Sequence, residues 1–386
     1  MTAVVAGLGM TELGRVYGPS PRKFAAEAVR RAVADAGMNL EDLDGLLVSH
    51  GMGGSPSIEL ADVLGLRDLR LLSQMTSYGA TAGAMISYAA MSVLSGAATA
   101  VACVFADAPL KPQQSAGAAY DRSAREYFGY GGMNAAHGFR SVNAYYALAT
   151  QRHMARYGTT SEQLGAIAVS TRQWATMNPL AQMREPITLE DHQNSRWVVE
   201  PLHLLDCCLV SNGAVAVIVT SADRAADLAQ PPVHLWGWGQ GHPGERRERG
   251  GEFGLVTGAV SSGATAMKMA GVTVSEIDMC QLYDCYTFTT LVSLEDYGFC
   301  AKGEGGAFAA SGALAPGGNL PVNTGGGQLS AYYMWGMTPV SEAIIQARGQ
   351  GGERQVARND VILVSGNGGL LDHHATLIFS PHAKGA

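Results

Sequence analysis

Charge is scarce in this chain. Only 15% of its 386 residues are Asp, Glu, Lys or Arg, against about 25% in an ordinary soluble domain, and the formal net charge is -7. There is no basic field of the kind that draws a phosphate backbone, so nucleic acid is not an expected partner. Cysteine is sparse too: the six residues Cys103, Cys207, Cys208, Cys280, Cys285 and Cys300 make no disulfide framework in a chain this long, and paired CxxC motifs are missing. Cys280 and Cys285 alone are a poor metal site, and buried thiols are the plainer reading. His373 and His374 are adjacent, so on a strand they face opposite ways and do not chelate together. The opening MTAVVAGLGMTELG has no basic stretch before its apolar run and no small-residue cleavage site after it; a cytoplasmic protein is expected.

From Leu71 to Ala106 charge disappears altogether. The run is longer than the roughly 20 residues that span a bilayer, yet Ala, Gly, Ser and Thr dominate it. It divides into a helical part (Ala80 to Ser95), a turn at Gly96 and a β-like run (Ala100 to Phe105). That pattern reads as a helix and a strand buried inside a layered protein.

Apolar residues make up 47% of the chain, enough for a large core, and 49 glycines without the collagen period point to tight turns around a site. Strand-like runs at Val4-Val5-Ala6, Gly45 to Val48, Val101 to Phe105, Ala214 to Val219 and Val361 to Val364 alternate with amphipathic stretches such as Pro21 to Ala36, which makes the class α/β. An internal echo is more specific. Ala36-Gly37 followed by the acidic turn Glu41 to Asp44 recurs, at one offset of 234 residues, as Ala270-Gly271 followed by Ser275 to Asp278. A second echo pairs the Gly-rich turn, helix and strand of residues 79–105 with those of residues 325–364. Two duplicated halves are expected: residues 1–106 with 206–230, and residues 231–386. Between them residues 107–205, with Tyr120, Tyr127, Phe128, Tyr130, Tyr145 and Tyr146, read as an inserted loop and helical region that covers a substrate.

Gly7-x-Gly9 is no dinucleotide fingerprint, because Glu12 stands where the third glycine belongs. The loop Glu245-Arg246-Arg247-Glu248-Arg249 has two readings, a grip on the phosphates of coenzyme A or an exposed mixed-charge loop.

Three segments carry a family resemblance: Tyr78-Gly79-Ala80-Thr81-Ala82-Gly83, Leu282-Tyr283-Asp284-Cys285-Tyr286, and Gly325-Gly326-Gly327-Gln328-Leu329-Ser330 followed by Tyr333. They resemble the catalytic loops of the thiolase superfamily, particularly its sterol carrier protein X branch, as do the opening VAGLGMTELG, the run Glu190 to Val219 and the turn Gly298 to Gly306. The resemblance implies the thiolase fold, two βαβαβαββ halves forming a layered αβαβα core. Where the branch carries a nucleophilic cysteine at a helix N-terminus this chain has Ala80, a vestigial position that cannot form a thioester. The branch's two loop histidines match Tyr283 and Tyr333.

Tyrosines at both histidine positions are similar to the thiolase-like steroid side-chain aldolases. That resemblance implies retro-aldol cleavage of a β-hydroxyacyl-CoA, a 17-hydroxy steroid thioester giving propionyl-CoA and a 17-keto steroid. It also implies a homodimer, paired through a central strand of each subunit, and a small OB-fold/zinc-ribbon partner completing a heterotetramer. Any zinc would sit in that partner; no cofactor is expected in this chain, with acyl-CoA as substrate and no membrane involved. The uncharged run Leu71 to Ala106 also favours a dimer, since a strand such as Val101 to Phe105 needs cover on every side.

A retro-aldol needs a base for the β-hydroxyl proton, stabilisation of the enolate and an acid for the α-carbon. None of the five lysines (Lys23, Lys111, Lys268, Lys302, Lys384) falls in the three loops, and a thioester offers no ketone for a Schiff base. Tyr283 as base and Tyr333 as proton donor is the preferred assignment, with the opposite one open. Tyr332, next to Tyr333, is a further candidate. Gly326 and Gly327 are expected to present unpaired backbone N–H groups to the enolate, Asp284 to be a structural hydrogen-bonder, and Asn367 to support the site or merely the turn Gly366-Asn367-Gly368. The rival reading is a catalytically inactive acyl-CoA-binding or scaffold subunit, the product of losing Cys, His and His.

Overall fold

The structure, a computed structural model, describes residues 2–119, 129–139, 141–244 and 250–385. Its strands are β1 (Ala3–Met10), β2 (Gly45–Ser49), β3 (Leu71–Met75), β4 (Ala100–Asp107), β5 (Trp197–Val199), β6 (Leu202–His203), β7 (Gly213–Ser221), β8 (Val233–Gly241), β9 (Met279–Gln281), β10 (Ile362–Gly368) and β11 (His373–Ser380). Strands β5 and β6 form a small hairpin. The other nine hydrogen-bond in the order β3-β2-β4-β7-β1-β8-β11-β10-β9.

That order contains a repeat. From the centre outward, β1-β7-β4-β2-β3 has antiparallel, antiparallel, parallel and parallel pairings. In the other direction β8-β11-β10-β9 begins with the same three senses, and a parallel bridge from Cys280 to Val322 stands where a last strand would be. The halves join through only two residue pairs of β1 and β8, Val4 with His234 and Val5 with Val233.

The long helices are α1 (Pro21–Ala36), α2 (Thr81–Leu94), α3 (Val142–Tyr157), α4 (Ser161–Thr176), α5 (Ala259–Ala270), α6 (Thr287–Tyr297) and α7 (Met337–Ala347). Helix α1 begins as its sequence dictates: the Ser20 side chain accepts from Lys23 N, Pro21 opens the first turn and Gly37 closes it with φ 72°. It packs on β1, β7 and β4, while α5 packs on β8 and β11. Helices α2 and α7 lie in the middle, α2 touching β4 and β7 on one side and β10 and β11 on the other. The result is a five-layer αβαβα stack, and α2 is apolar on most of its circumference because both of its faces are covered.

Gly7 and Gly9 belong to this packing rather than to a nucleotide. A Cβ on either would come under 3.0 Å of the α1 backbone at Ala32 and Ala28. Gly237, Gly239 and Gly241 of β8 repeat the arrangement against Ala266, Ser262 and Gly258. Both strands give up side chains so that a helix backbone can lie directly on them.

Val101 to Phe105, expected to need cover from another subunit, lies inside β4 between β2 and β7. Its cover is within the chain. The free edge of the first half is β3, where Leu72 is exposed, as are Tyr88, Met91 and Leu94 of α2, a helix that touches β3. Among the described residues no helix is long and apolar enough to cross a membrane.

Residues 107–205 contribute α3 and α4, and hydrogen bonds between buried side chains tie the region to its surroundings. His153 Nε2 lies 2.9 Å from Glu295 of α6, and His192 Nε2 lies 2.9 Å from Asp206. Tyr120, Tyr127 and Phe128 lie outside the described residues.

Candidate active site

Four loops converge at the N-terminus of α2. Gly79 is the point of closest approach: a Cβ there would come under 3.0 Å of the Asn367 carbonyl oxygen and of Cε2 and Cζ of Tyr283. Gly366 and Gly368 press against the backbone of residues 77–80 under the same restriction, and Gly336 presses against the Gly79 carbonyl. Only hydrogen at these positions lets the loops meet.

Tyr283 follows β9, and its ring lies against Gly79. Its hydroxyl is 3.1 Å from that of Tyr333, with the rings edge to face at 6.5 Å. Tyr283 is buried and Tyr333 half-buried. Burial pushes the Tyr283 phenol well above its ordinary pKa, the hydrogen bond to Tyr333 opposing that only in part. Tyr333 is held by its backbone N–H, which donates to Ser211 Oγ at 3.0 Å, and Ser211 in turn accepts from Gln182 Nε2 at 2.8 Å. Tyr332 is extended, so its side chain leaves the opposite side of the chain. Its hydroxyl bonds Ser341 Oγ at 2.9 Å in the interior, away from the Tyr283 hydroxyl.

Asp284 is fully buried, and its carboxylate accepts from the N–H groups of Gln328 at 2.8 Å and Leu329 at 3.4 Å. Burial raises its pKa to about 7, against the pull of those N–H groups. It holds a single π-helical turn, Gly327–Ala331, entered through Gly326 with φ 93°. A Cβ on Gly327 would collide with the Asp284 carboxylate, and one on Gly326 with Ala175 of α4. The Gly326 N–H expected to face the enolate is spent on the Asn323 carbonyl at 2.8 Å, and several neighbouring N–H groups are spent as well. Asp284 takes those of Gln328 and Leu329, and those of Ala80 and Thr81 turn back on the carbonyls of Ser77 and Tyr78. What α2 still offers is the positive end of its dipole.

Ala80 is buried at that end. The thiols in this part of the structure are no substitute for the cysteine it replaces. Burial raises Cys285 to about 12 and holds Cys207 and Cys208 further up, so they stay protonated and poor nucleophiles.

Sequence reasoning passed over two side chains here. Ser211 lies in a polar turn with no motif around it. Tyr146 was grouped only with the aromatics of the insertion, and it lies on α3, buried and stacked on Tyr286 at 4.4 Å. Its hydroxyl donates to the Gly369 carbonyl at 3.1 Å and accepts from Asn367 Nδ2 at 3.0 Å. Asn143, one turn earlier, bonds the Tyr286 hydroxyl. Further along α3, Leu148, Gln151, Arg152, Ala155 and Arg156 line an open groove of about 550 Å³ with Phe253. The loop Glu245 to Arg249 lies outside the described residues.

The thiolase C-terminal domain-like family matches residues 239–381. A steroid side-chain-cleaving aldolase of Thermomonospora curvata is 38% identical over 378 residues, covering 95% of each chain. The chain belongs to the thiolase superfamily. A second superfamily relative, the 17-hydroxy-3-oxo-4-pregnene-20-carboxyl-CoA lyase of Mycobacterium tuberculosis, is also 38% identical, over 95% of this chain and 96% of that one. A solved structure described as an Ltp2-ChsH2(DUF35) aldolase superposes with TM-score 0.88 at 36% identity, covering 98% of this chain and 97% of its own. These relatives bear the names of carbon–carbon lyases, the class that the phenol pair and the missing nucleophile suggest.

Proposed function

We propose that this chain is a retro-aldolase that cleaves a β-hydroxyacyl-CoA, a 17-hydroxy steroid side-chain thioester, into propionyl-CoA and a 17-keto steroid. The observation that carries the reading is the pair of phenols 3.1 Å apart beside a helix N-terminus that bears Ala80 instead of a nucleophile. The activities by which both relatives are known support the same class, and that of the Mycobacterium tuberculosis lyase supports a 17-hydroxy steroid thioester as substrate.

Tyr283 and Tyr333 are the proposed acid and base. The burial of Tyr283, which keeps it protonated, favours Tyr333 as the group that meets the β-hydroxyl, the reverse of the assignment preferred from sequence. In the proposed step the β-hydroxyl proton passes to Tyr333 as the Cα–Cβ bond breaks and Cβ becomes a ketone. Tyr333 passes its own proton to Tyr283, and Tyr283 gives one to Cα. No free phenolate has to form, which suits two hydroxyls in a buried site. The dipole of α2 favours the negative charge that develops on the thioester enolate. Asp284, Gly326 and Gly327 hold the loop that carries Tyr333, and Tyr332 belongs to the interior.

The groove along α3 is the proposed seat of the anionic end of coenzyme A. Arg152 and Arg156 stand six and ten residues beyond Tyr146, about 9–15 Å along the helix axis. Residues 107–205 are proposed as the substrate-covering region between halves formed by 1–106 with 206–230 and by 231–386. A homodimer is proposed through the β3 edge, where Leu72 and the neighbouring face of α2 are exposed. The similar solved aldolase is described with two components, Ltp2 and ChsH2(DUF35), which supports a partner subunit, here an OB-fold/zinc-ribbon protein holding any zinc in a heterotetramer. A cytoplasmic location is proposed with it.

Incubation with the 17-hydroxy steroid β-hydroxyacyl-CoA, with and without the partner, should release propionyl-CoA and the 17-ketone in equal amounts. Failure in both conditions would leave the inactive-subunit reading, which has the loss of the nucleophile in its favour.

A further inference from the structure

Residues 206–212, which lead into β7, are bonded to both tyrosine loops. At one end Asp206 Oδ1 accepts from Thr287 Oγ1 at 2.6 Å, and the Cys208 N–H donates to the carbonyl of Cys285, two residues beyond Tyr283, at 3.1 Å. At the other end the Leu209 N–H donates to the Gln328 carbonyl at 2.9 Å, and Ser211 Oγ accepts the N–H of Tyr333 itself at 3.0 Å. The run is pinned where it enters β7. Asn212 Oδ1 accepts from the Leu110 N–H at 2.8 Å, and its Nδ2 donates to the carbonyls of Val16 and Leu110. Ser211 is buried, and its oxygen also accepts from Gln182 Nε2 at 2.8 Å. Gln182 is in turn tied to the Ala331 carbonyl by its backbone N–H at 3.0 Å and by Nε2 at 3.2 Å. Two N–H donors take both lone pairs of a hydroxyl oxygen, so Ser211 Oγ is held from two sides and has no lone pair left for a substrate proton.

On the retro-aldolase reading above, we infer that Ser211 is a positioning residue for the proton relay: through the Tyr333 N–H it sets where the Tyr333 phenol stands relative to that of Tyr283. The two hydroxyls are 3.1 Å apart, close to the outer limit at which a hydrogen bond can pass a proton. A phenol stands at the end of a long lever from its own backbone nitrogen, so a small shift at that nitrogen opens the contact. Because the run 206–212 is bonded to the loop of Tyr283 as well as to that of Tyr333, it acts as a ruler between the two. Ser211 is the point at which that ruler meets the residue that carries the reactive hydroxyl. Its contribution is to the rate of proton transfer and not to the affinity for substrate.

The test is a double-mutant cycle on cleavage of the 17-hydroxy steroid thioester. Ser211→Ala is expected to lower kcat roughly ten- to a hundred-fold, the scale of a misplacement of up to about 1 Å, with KM little changed. In the Tyr333→Phe background the same substitution should cost almost nothing further, because the hydroxyl through which Ser211 acts is already gone. A residue that only supports the fold would lower the residual rate by the same factor in both backgrounds. Ser211→Cys keeps the volume but accepts hydrogen bonds weakly; it should lower kcat less than Ser211→Ala, and it runs the same cycle if Ser211→Ala does not fold, with melting temperature as the check. Equal factors in the two backgrounds, a loss carried by KM instead of kcat, or wild-type turnover by a folded variant overturns the inference. If the unmodified chain does not cleave the 17-hydroxy thioester at all, it is the retro-aldolase reading that has failed.

Discussion

The two middle helices begin in the same way, yet the two halves do different work. Before α2, Tyr78 has φ 51° and is followed by Gly79; before α7, Trp335 has φ 49° and is followed by Gly336. In each half a threonine at the start of the helix accepts a backbone N–H from four residues earlier: Thr81 Oγ1 from Ser77 at 2.7 Å, and Thr338 Oγ1 from Met334 at 2.9 Å. The two turns meet face to face, with Gly336 against the Gly79 carbonyl and the Tyr78 and Trp335 rings 6.0 Å apart. The scaffold is thus a duplicate while the chemistry is not. The first half gives a helix end with a methyl group on it, and the second half gives both phenols. Duplication provides two equivalent helix ends, and losing the nucleophile from one leaves the loops of the other intact.

That asymmetry makes the largest expected effects fall on the second half. Tyr283→Phe and Tyr333→Phe should each lower kcat by about 10²–10⁴, the usual worth of a positioned proton-transfer group. The double variant should be little worse than either single one, because a relay is lost whole. Quantifying released propionyl-CoA checks this, and near wild-type turnover by both single variants would remove the pair from the mechanism. Restoring the first half should achieve nothing: Ala80→Cys is expected to show no thiolysis of a β-ketoacyl-CoA, since the histidines that would activate it are still tyrosines. A thioester intermediate detected by mass spectrometry in that variant would show the comparison to be misdrawn.

Gly79→Ala and Gly336→Ala probe the shared turn. Each should cost on the order of 1–3 kcal/mol of stability from overpacking, read as a lower melting temperature. Only Gly79→Ala pushes on the Tyr283 ring, so it should also cost more activity than its counterpart. Equal losses of activity would mean that Gly79 matters only as scaffold.

The last test concerns pH. Asp284 has a folded-state pKa of about 7, above the ordinary aspartate value of about 3.9. The folded protein therefore holds that proton more tightly than the unfolded chain does. The stability this contributes is complete below about pH 4 and is lost as pH rises through about 7. Melting temperatures of the intact chain between pH 5 and 8 should carry this downward slope, and Asp284→Asn should flatten it. An unchanged slope in the variant would assign the pH dependence to another group.

Much of the scaffold was legible because it rests on local signals. The limits of α1 follow from Ser20-Pro21 and Gly37, and the offset of 234 residues carries the same helix cap, turn and strand in both halves. Strands β3, β8 and β11 were missed for separate reasons. β3 sits in an uncharged run with helix-like composition, glycines in β8 read as turns, and the paired histidines of β11 obscured its alternation. The tyrosine pair was visible only through the positions that resemble histidines in the family, since nothing local marks a phenol as reactive. Tyr146 had no such template. Its importance arises from a contact with Gly369 across 223 residues, and no window of sequence contains both.

The bare glycines of β1 and β8 have a consequence for how freely this molecule can be remodelled. At Gly7 and Gly9 on one side and at Gly237, Gly239 and Gly241 on the other, α1 and α5 meet strand backbone with no side chain between as a spacer. An interface built of side chains can drift by trading one methyl for another; a backbone-on-backbone seam has no such adjustment, because the first atom added is a wedge. The two outer faces are therefore the rigid walls of the molecule. New substrate shapes would have to be accommodated between them, in the segment that includes α3 and α4, where ordinary side chains still separate one layer from the next.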